Sequence, residues 1–276
     1  MQRFIQAGWF FYGIGLVVYG SLQLYYKDYR PAIAPDWPAW LHQLSFVYLT
    51  GASMIAAGVL ITGLTPLCPV PAKKLCLLVG TFFLLLNLFC RIPQILFVSP
   101  NSPHHLGVWA AMLKEVSFCG GAFVMAGSYD VSADTSRKVS WVEKALDGII
   151  PWVPVFFSIN MILFGFSHFF YNAFIAPLVP SYFGMPATWT NIAGVMLIGA
   201  GTCIILRMAT KSVAILLAIM ILIWFFLIRI PNAMAKPTEG NGNAVVSTFD
   251  ALLFCGIALV IAFGPSAAFK TAQTTR

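Results

Sequence analysis

Charge is scarce in this sequence. Sixteen residues are Lys or Arg and nine are Asp or Glu, so 9% of the 276 residues are charged. A water-facing surface needs roughly 25%. A soluble globular domain is therefore excluded, and most of the surface must meet lipid. The familiar catalytic motifs are missing too. There is no Gly-x-Gly-x-x-Gly after a strand pattern, no Walker loop, no His-Glu-x-x-His and no Gly-x-Ser-x-Gly. The six cysteines form no Cys-x-x-Cys. Five lie in or beside apolar runs and Cys68 lies in a loop, which fits small apolar side chains. Histidine is rare, with four in the chain. Haem needs facing axial ligands. His168 is the only histidine inside a helical run, with His42 its one candidate partner in depth. His104-His105 is a bare pair without further ligands. No small-x-small cleavage pattern follows the N-terminal apolar run, which reads as a first helix and not as a leader.

Apolar residues fill the space that charge leaves. They make up 59% of the chain, and its mean hydropathy is +0.85. A bilayer crossing takes roughly 20 such residues. The runs predict eight transmembrane helices at 4–26, 43–64, 75–98, 107–127, 151–174, 189–208, 212–235 and 244–264. The class is an all-α polytopic membrane bundle. The net charge of +7 in a soluble protein would suggest nucleic acid. Here the basic residues sit in short loops and set orientation, so no nucleic-acid partner is expected. Arg3, Lys73, Lys74, Arg137, Lys138, Lys144, Arg207, Lys211, Lys270 and Arg276 fall on one side. Lys27, Arg30 and Lys236 fall on the other. That bias predicts both termini in the cytoplasm.

The chain also repeats itself. Phe10-Phe11 matches Phe156-Phe157 at an offset of 146, and Gly20 matches Gly165 and Pro35 matches Pro180 at 145. Gly51 and Gly58 match Gly194 and Gly201 at 143. Arg91-Ile92-Pro93-Gln94 matches Arg229-Ile230-Pro231-Asn232 at 138. In the last helix of each half, Glu115 with Gly121 parallels Asp250 with Gly256. Aligning Phe118-Cys119-Gly120 with Phe254-Cys255-Gly256 shifts that match by one. Falling offsets are what loop deletions leave after a duplication. The expected organisation is a first four-helix repeat over 1–128, a polar linker over 129–150 and a second repeat over 151–276. An even helix count makes the two copies parallel, with a pseudo-two-fold axis along the membrane normal.

Charges inside a bilayer cost about 2.5–3.5 kcal/mol each on insertion scales and need partners or water. Arg91, Arg229, Glu115 and Asp250 each lie roughly 9–12 Å from the outer helix ends at 1.5 Å per residue. They form one layer, and the pairs Arg91–Glu115 and Arg229–Asp250 are expected. Asn87, Arg91 and Gln94 share one helix face. Arg229 and Asn232 repeat it. His168 reaches the same layer, with Gln23 in its place in the first half. Lys114, about 100° around from Glu115, is expected to snorkel outward. Pro93 and Pro231 free the carbonyls of Phe89 and Leu227 to accept other donors.

Two readings stay open. One is a water-accessible pocket facing outward, whose arginines favour an anionic or carbonyl-bearing ligand. Its lining would be Gln23, Asn87, Arg91, Gln94, Glu115, His168, Arg229, Asn232 and Asp250. The other is two buried ion pairs holding helix pairs together. The long outer loops, from Lys27 to His42 and from Ala176 to Trp189, are proline-rich and aromatic. They read as lids or as an interfacial aromatic belt. Gly51, Gly58, Gly120, Gly121, Gly194 and Gly201 read as close-packing positions. The cytoplasmic halves of the helices are nearly all apolar, which leaves no polar path for a transporter.

Each half resembles the DoxX/DoxD-like family of four-helix membrane proteins. Gly165-Phe166-Ser167-His168 matches the glycine and histidine near the end of that family's first helix. Gly20-Ser21-Leu22-Gln23 departs from it. Pro35-Asp36-Trp37-Pro38 resembles its proline-rich loop, and Lys114-Glu115 followed by Gly120-Gly121-Ala122 its last helix. The second copy keeps only Asp250 and Gly256. The resemblance implies a bacterial inner-membrane protein. It points to a membrane subunit of a quinone-linked redox system, with quinone the cofactor to consider and none held intrinsically. It also allows a non-enzymatic assembly protein with a redox or assembly partner on the extracytoplasmic side. Membrane lipid is an expected partner in either case.

Overall fold

The computed structural model describes residues 2–30, 38–63, 69–98, 106–129 and 140–264. All regular structure among them is helical. Seven helices there are long and apolar enough to cross a membrane. They are α1 (Gln2–Tyr26), α2 (Leu44–Ile61), α3 (Pro71–Val98), α5, α6 (Pro186–Ile205), α7 (Thr210–Ala235) and α8 (Asn243–Phe263). The apolar body of α5 is Val153–Phe170. An eighth long helix, α4 (Leu106–Ser128), has its apolar run interrupted by Lys114 and Glu115. The second loop folds into short helical turns, Asn172–Ile175, Ala176–Leu178 and Ser181–Phe183. Thus α5 ends at Phe170, earlier than its apolar run suggests. A short helix, Trp141–Asp147, lies within the stretch expected to be a linker. Ser140 caps it, and Lys73 of α3 binds its Asp147 at 2.8 Å. Pro35, Cys68, His104, His105 and most of 129–140 lie outside the described residues.

Helix pairing follows small residues, because lipid offers no apolar driving force between helices. In α1 against α2, a Cβ on Gly20 would stand 2.5 Å from the Gly51 carbonyl oxygen, and one on Gly13 2.6 Å from that of Gly58. In α5 against α6, a Cβ on Gly165 would stand 2.7 Å from the Gly194 oxygen, and one on Gly201 2.6 Å from that of Ser158. α3 packs on α4, and α7 on α8. α1 crosses to α8, and α5 to α4. α4 and α8 meet at the centre. The described cysteines are free thiols, and four of the five are buried. Outward side chains such as Leu49, Leu78 and Leu216 are about two-thirds exposed, as a lipid-facing surface requires.

Two helices widen just before a proline. The Ile92 N–H reaches back five residues to Asn87, and the Ile230 N–H to Phe225. Pro93 and Pro231 follow one residue later. A proline ring clashes with the carbonyl four residues back, and widening to a π turn relieves that crowding. Arg91 and Arg229 each close such a turn.

Candidate functional site

The first half of the polar layer is a closed cluster. Arg91 Nε donates to Glu115 Oε1 at 2.8 Å, and Arg91 Nη2 binds the same oxygen. Asn87 Nδ2 donates to Glu115 Oε2 at 3.3 Å and to the Met112 carbonyl at 3.2 Å. Arg91 Nη1 reaches Gln94 Oε1 at 3.4 Å. Glu115 is 1% exposed and Arg91 7%. The i, i+4, i+7 face expected of α3 therefore forms and converges on Glu115. The acid is held from two sides, so this cluster acts as a joint between α3 and α4.

The second half is built differently, and here the structure corrects the sequence expectation. Asp250 does not pair with Arg229. Its Oδ2 accepts from Lys114 Nζ at 2.7 Å, across the contact between α4 and α8. Lys114 therefore does not snorkel outward. Its side chain is 17% exposed and turned to the bundle centre. The reason lies in register. When Phe118-Cys119-Gly120 is aligned with Phe254-Cys255-Gly256, Lys114 and Asp250 become the same position in the two halves. They face each other, not α7. That alignment was the signal that could have found Lys114.

Among the described residues, Arg229 has no carboxylate partner. Thr248 Oγ1 donates to its backbone carbonyl at 3.0 Å. Among the described residues, no hydrogen-bond acceptor or acid engages its guanidinium. It lies within electrostatic range of Lys114 and His168. Asp250 Oδ1, next to the Lys114 contact, is buried with no partner. His168 Nδ1 bonds the Phe164 carbonyl at 2.6 Å, and its ring lies along Trp224 with centroids 6.4 Å apart. A carbonyl partner puts the proton on Nδ1, so Nε2 is left as an acceptor.

The other expected site residues lie elsewhere. Gln23 Nε2 donates to the Val47 carbonyl at 2.8 Å and to Thr50 Oγ1 at 2.6 Å, within the α1–α2 joint. Thr50 in turn donates to the Tyr29 hydroxyl at 3.0 Å. Asn232 Nδ2 donates to the Leu178 carbonyl at 2.7 Å and so holds the second loop. The Leu227 carbonyl that Pro231 frees accepts from the Tyr182 hydroxyl at 2.5 Å. Sequence reasoning missed Tyr182, Thr248 and the fully buried Arg30. Arg30 binds the Asn241 carbonyl, lies 4.8 Å over the Tyr26 ring and bonds the Asp28 carbonyl at 3.0 Å. Burial pulls its guanidinium below its ordinary pKa.

Chemically, the layer holds three cations and two carboxylates, and both carboxylates are taken. A guanidinium inside a bilayer costs about 2.5–3.5 kcal/mol unless something compensates it. Among the described residues no cluster of three His, Cys, Asp or Glu side chains could hold a metal ion. The chain matches no family model, no curated protein and no solved structure.

Proposed function

We propose that this chain is the membrane subunit of a quinone-linked redox system, with its ligand site in the polar layer of the second half. The reading treats α4 as an eighth span and the chain as a duplicated DoxX/DoxD-like unit in a bacterial inner membrane, both termini cytoplasmic. The pairing of helices supports duplication. Exchanging the halves turns α1–α2 into α5–α6, α3–α4 into α7–α8, and α1–α8 into α5–α4, and each of these pairs packs.

The observation that carries the functional reading is the free guanidinium of Arg229. Arg91 is spent on Glu115, so of these two arginines it is Arg229 whose donors, among the described residues, are open to a ligand's carbonyl or anionic oxygen. His168 stands near it with Nε2 able to accept a proton. The chain brings no flavin, haem or iron–sulfur motif, so electrons would come from a partner protein.

The test is extraction and analysis of lipophilic cofactors from protein purified in mild detergent, together with thermal unfolding in a short-chain quinone. A bound quinone, and a quinone-dependent rise in Tm that Arg229→Gln abolishes, are the expected results. No bound quinone, together with no Arg229-dependent stabilisation by any added amphiphile, would remove the reading. A second reading, an assembly protein, is favoured by the exposed aromatic second loop, where Phe174 is 77% and Tyr182 66% exposed. A stoichiometric partner that co-purifies and is lost on Phe174→Ala would select it.

A further inference from the structure

The two halves of the polar layer differ by one missing carboxylate. Arg91 and Arg229 are the same position at an offset of 138, and Glu115 and Ala251 are the same position at 136. Asn87, which steadies Glu115, is replaced by Phe225, which is buried. Met112, whose carbonyl Asn87 binds, corresponds to Thr248, which holds the backbone of Arg229. Side chains on a helix lean toward its N-terminus. Arg229 thus leans down α7. Ala251 lies one turn further down α8 than Thr248, on the same face. By this alignment a methyl group stands where the first half has an acid, and among the described residues no acid engages the matching arginine.

We infer that this seat binds the oxyanion of a ligand, a carboxylate or a phosphate, in the place that the Glu115 carboxylate fills in the first half. The inference rests on the reading of the second half as a ligand site, but it assigns that site an anionic head in place of the neutral quinone. A carboxylate or phosphate oxygen pair matches the fork of a guanidinium, as Glu115 does for Arg91. Lys114 adds a second positive charge nearby. A neutral carbonyl would leave the layer with one uncompensated cation. The same oxyanion could belong to an amphiphile whose tail lies in the bilayer or to a small anion from solution. Arg229 is part-exposed, which leaves a way in.

The test uses the full chain in a neutral maltoside detergent and follows thermal unfolding. The probes are dodecyl phosphate, inorganic phosphate and a neutral short-chain quinone. Dodecyl phosphate is expected to raise Tm by roughly 5 °C or more near 100-fold excess over Kd. Arg229→Gln should abolish the rise. Ala251→Glu should raise Tm without any probe and no longer respond to dodecyl phosphate, because the protein then carries its own carboxylate. A response to inorganic phosphate of equal size assigns the anion to solution, and a response to dodecyl phosphate alone assigns it to an amphiphile. Either supports the oxyanion seat. Stabilisation by the quinone alone overturns the inference and leaves the ligand site standing. An Arg229-independent response to every probe, or none at all, overturns both. If Arg229→Gln fails to fold, Ala251→Glu decides alone: an undiminished dodecyl phosphate response in that variant rejects the seat.

Discussion

Phe118 of α4 and Phe254 of α8 stack ring on ring, with centroids 5.4 Å apart and planes 27° from parallel. On the proposed duplication they are one position seen twice, so the axis relating the halves runs between them. The neighbours follow suit. Tyr19 flanks Phe118 at 5.7 Å, and Phe164 flanks Phe254 at 5.8 Å. Cys119 Sγ donates to the Gly80 carbonyl at 3.2 Å, and Cys255 Sγ to the Ala218 carbonyl at 3.4 Å. Phe118→Ala and Phe254→Ala are each expected to cost about 3–5 kcal/mol. Both rings share one contact, so the double variant should lose less than the two single losses together. A double-mutant cycle by denaturant unfolding measures the coupling, and simple additivity would place the rings apart.

One turn above that stack, Lys114 and Asp250 meet at 2.7 Å. Equivalent positions across an axis can exchange their side chains without changing the geometry between them. Lys114→Asp alone, or Asp250→Lys alone, should fold poorly, because either leaves two like charges buried together. The exchanged pair, Lys114→Asp with Asp250→Lys, should recover most of the lost folded yield. Size-exclusion profiles in detergent read that recovery. A double variant as damaged as the singles would show that the surroundings of the two positions differ too much for the symmetry to matter.

The membrane class, seven of the eight expected long apolar helices and the cluster of Asn87, Arg91, Gln94 and Glu115 were legible in the sequence. Hydropathy reports burial in lipid directly, and the helical period puts those side chains on one face. Asp250 was not legible. An offset of 135 places it opposite Glu115, and an offset of 136 places it opposite Lys114. One residue turns a side chain by about 100° on a helix, enough to point it at α4 instead of α7. Asn232 was misassigned because spacing tells which face a residue occupies but not which loop lies over it. Leu178 belongs to a turn that no periodicity announces.

The two arginines should respond oppositely to loss of charge. Glu115→Gln leaves Arg91 buried beside a neutral amide and is expected to cost about 3–5 kcal/mol. Replacing both partners, as Arg91→Met with Glu115→Leu, should recover most of that loss, because an apolar pair of similar size carries no desolvation cost. Arg229→Met in ligand-free protein should be neutral or stabilising, since no carboxylate is orphaned. Thermal unfolding of the four proteins separates these cases. A loss on Arg229→Met as large as that on Glu115→Gln would mean that Arg229 has a partner in the folded chain.

Pro231 and Tyr182 share one carbonyl. Leu227 offers its oxygen to the Tyr182 hydroxyl because the residue four positions on, Pro231, has no N–H to claim it. Pro231→Ala restores that N–H and removes the ring clash. The turn Phe225–Arg229 should then tighten from its five-residue spacing, and the second loop should lose an anchor. Tyr182→Phe removes the same anchor without touching the helix. Each change is worth about 1 kcal/mol, near a fivefold change in local opening. Hydrogen exchange should therefore quicken over 176–185 in both variants, while amides at 229–233 gain protection only in Pro231→Ala. Equal protection at 229–233 in both variants would mean that the wide turn is set by α8 and not by the proline, and the orientation of Arg229 would then have to be traced to Thr248.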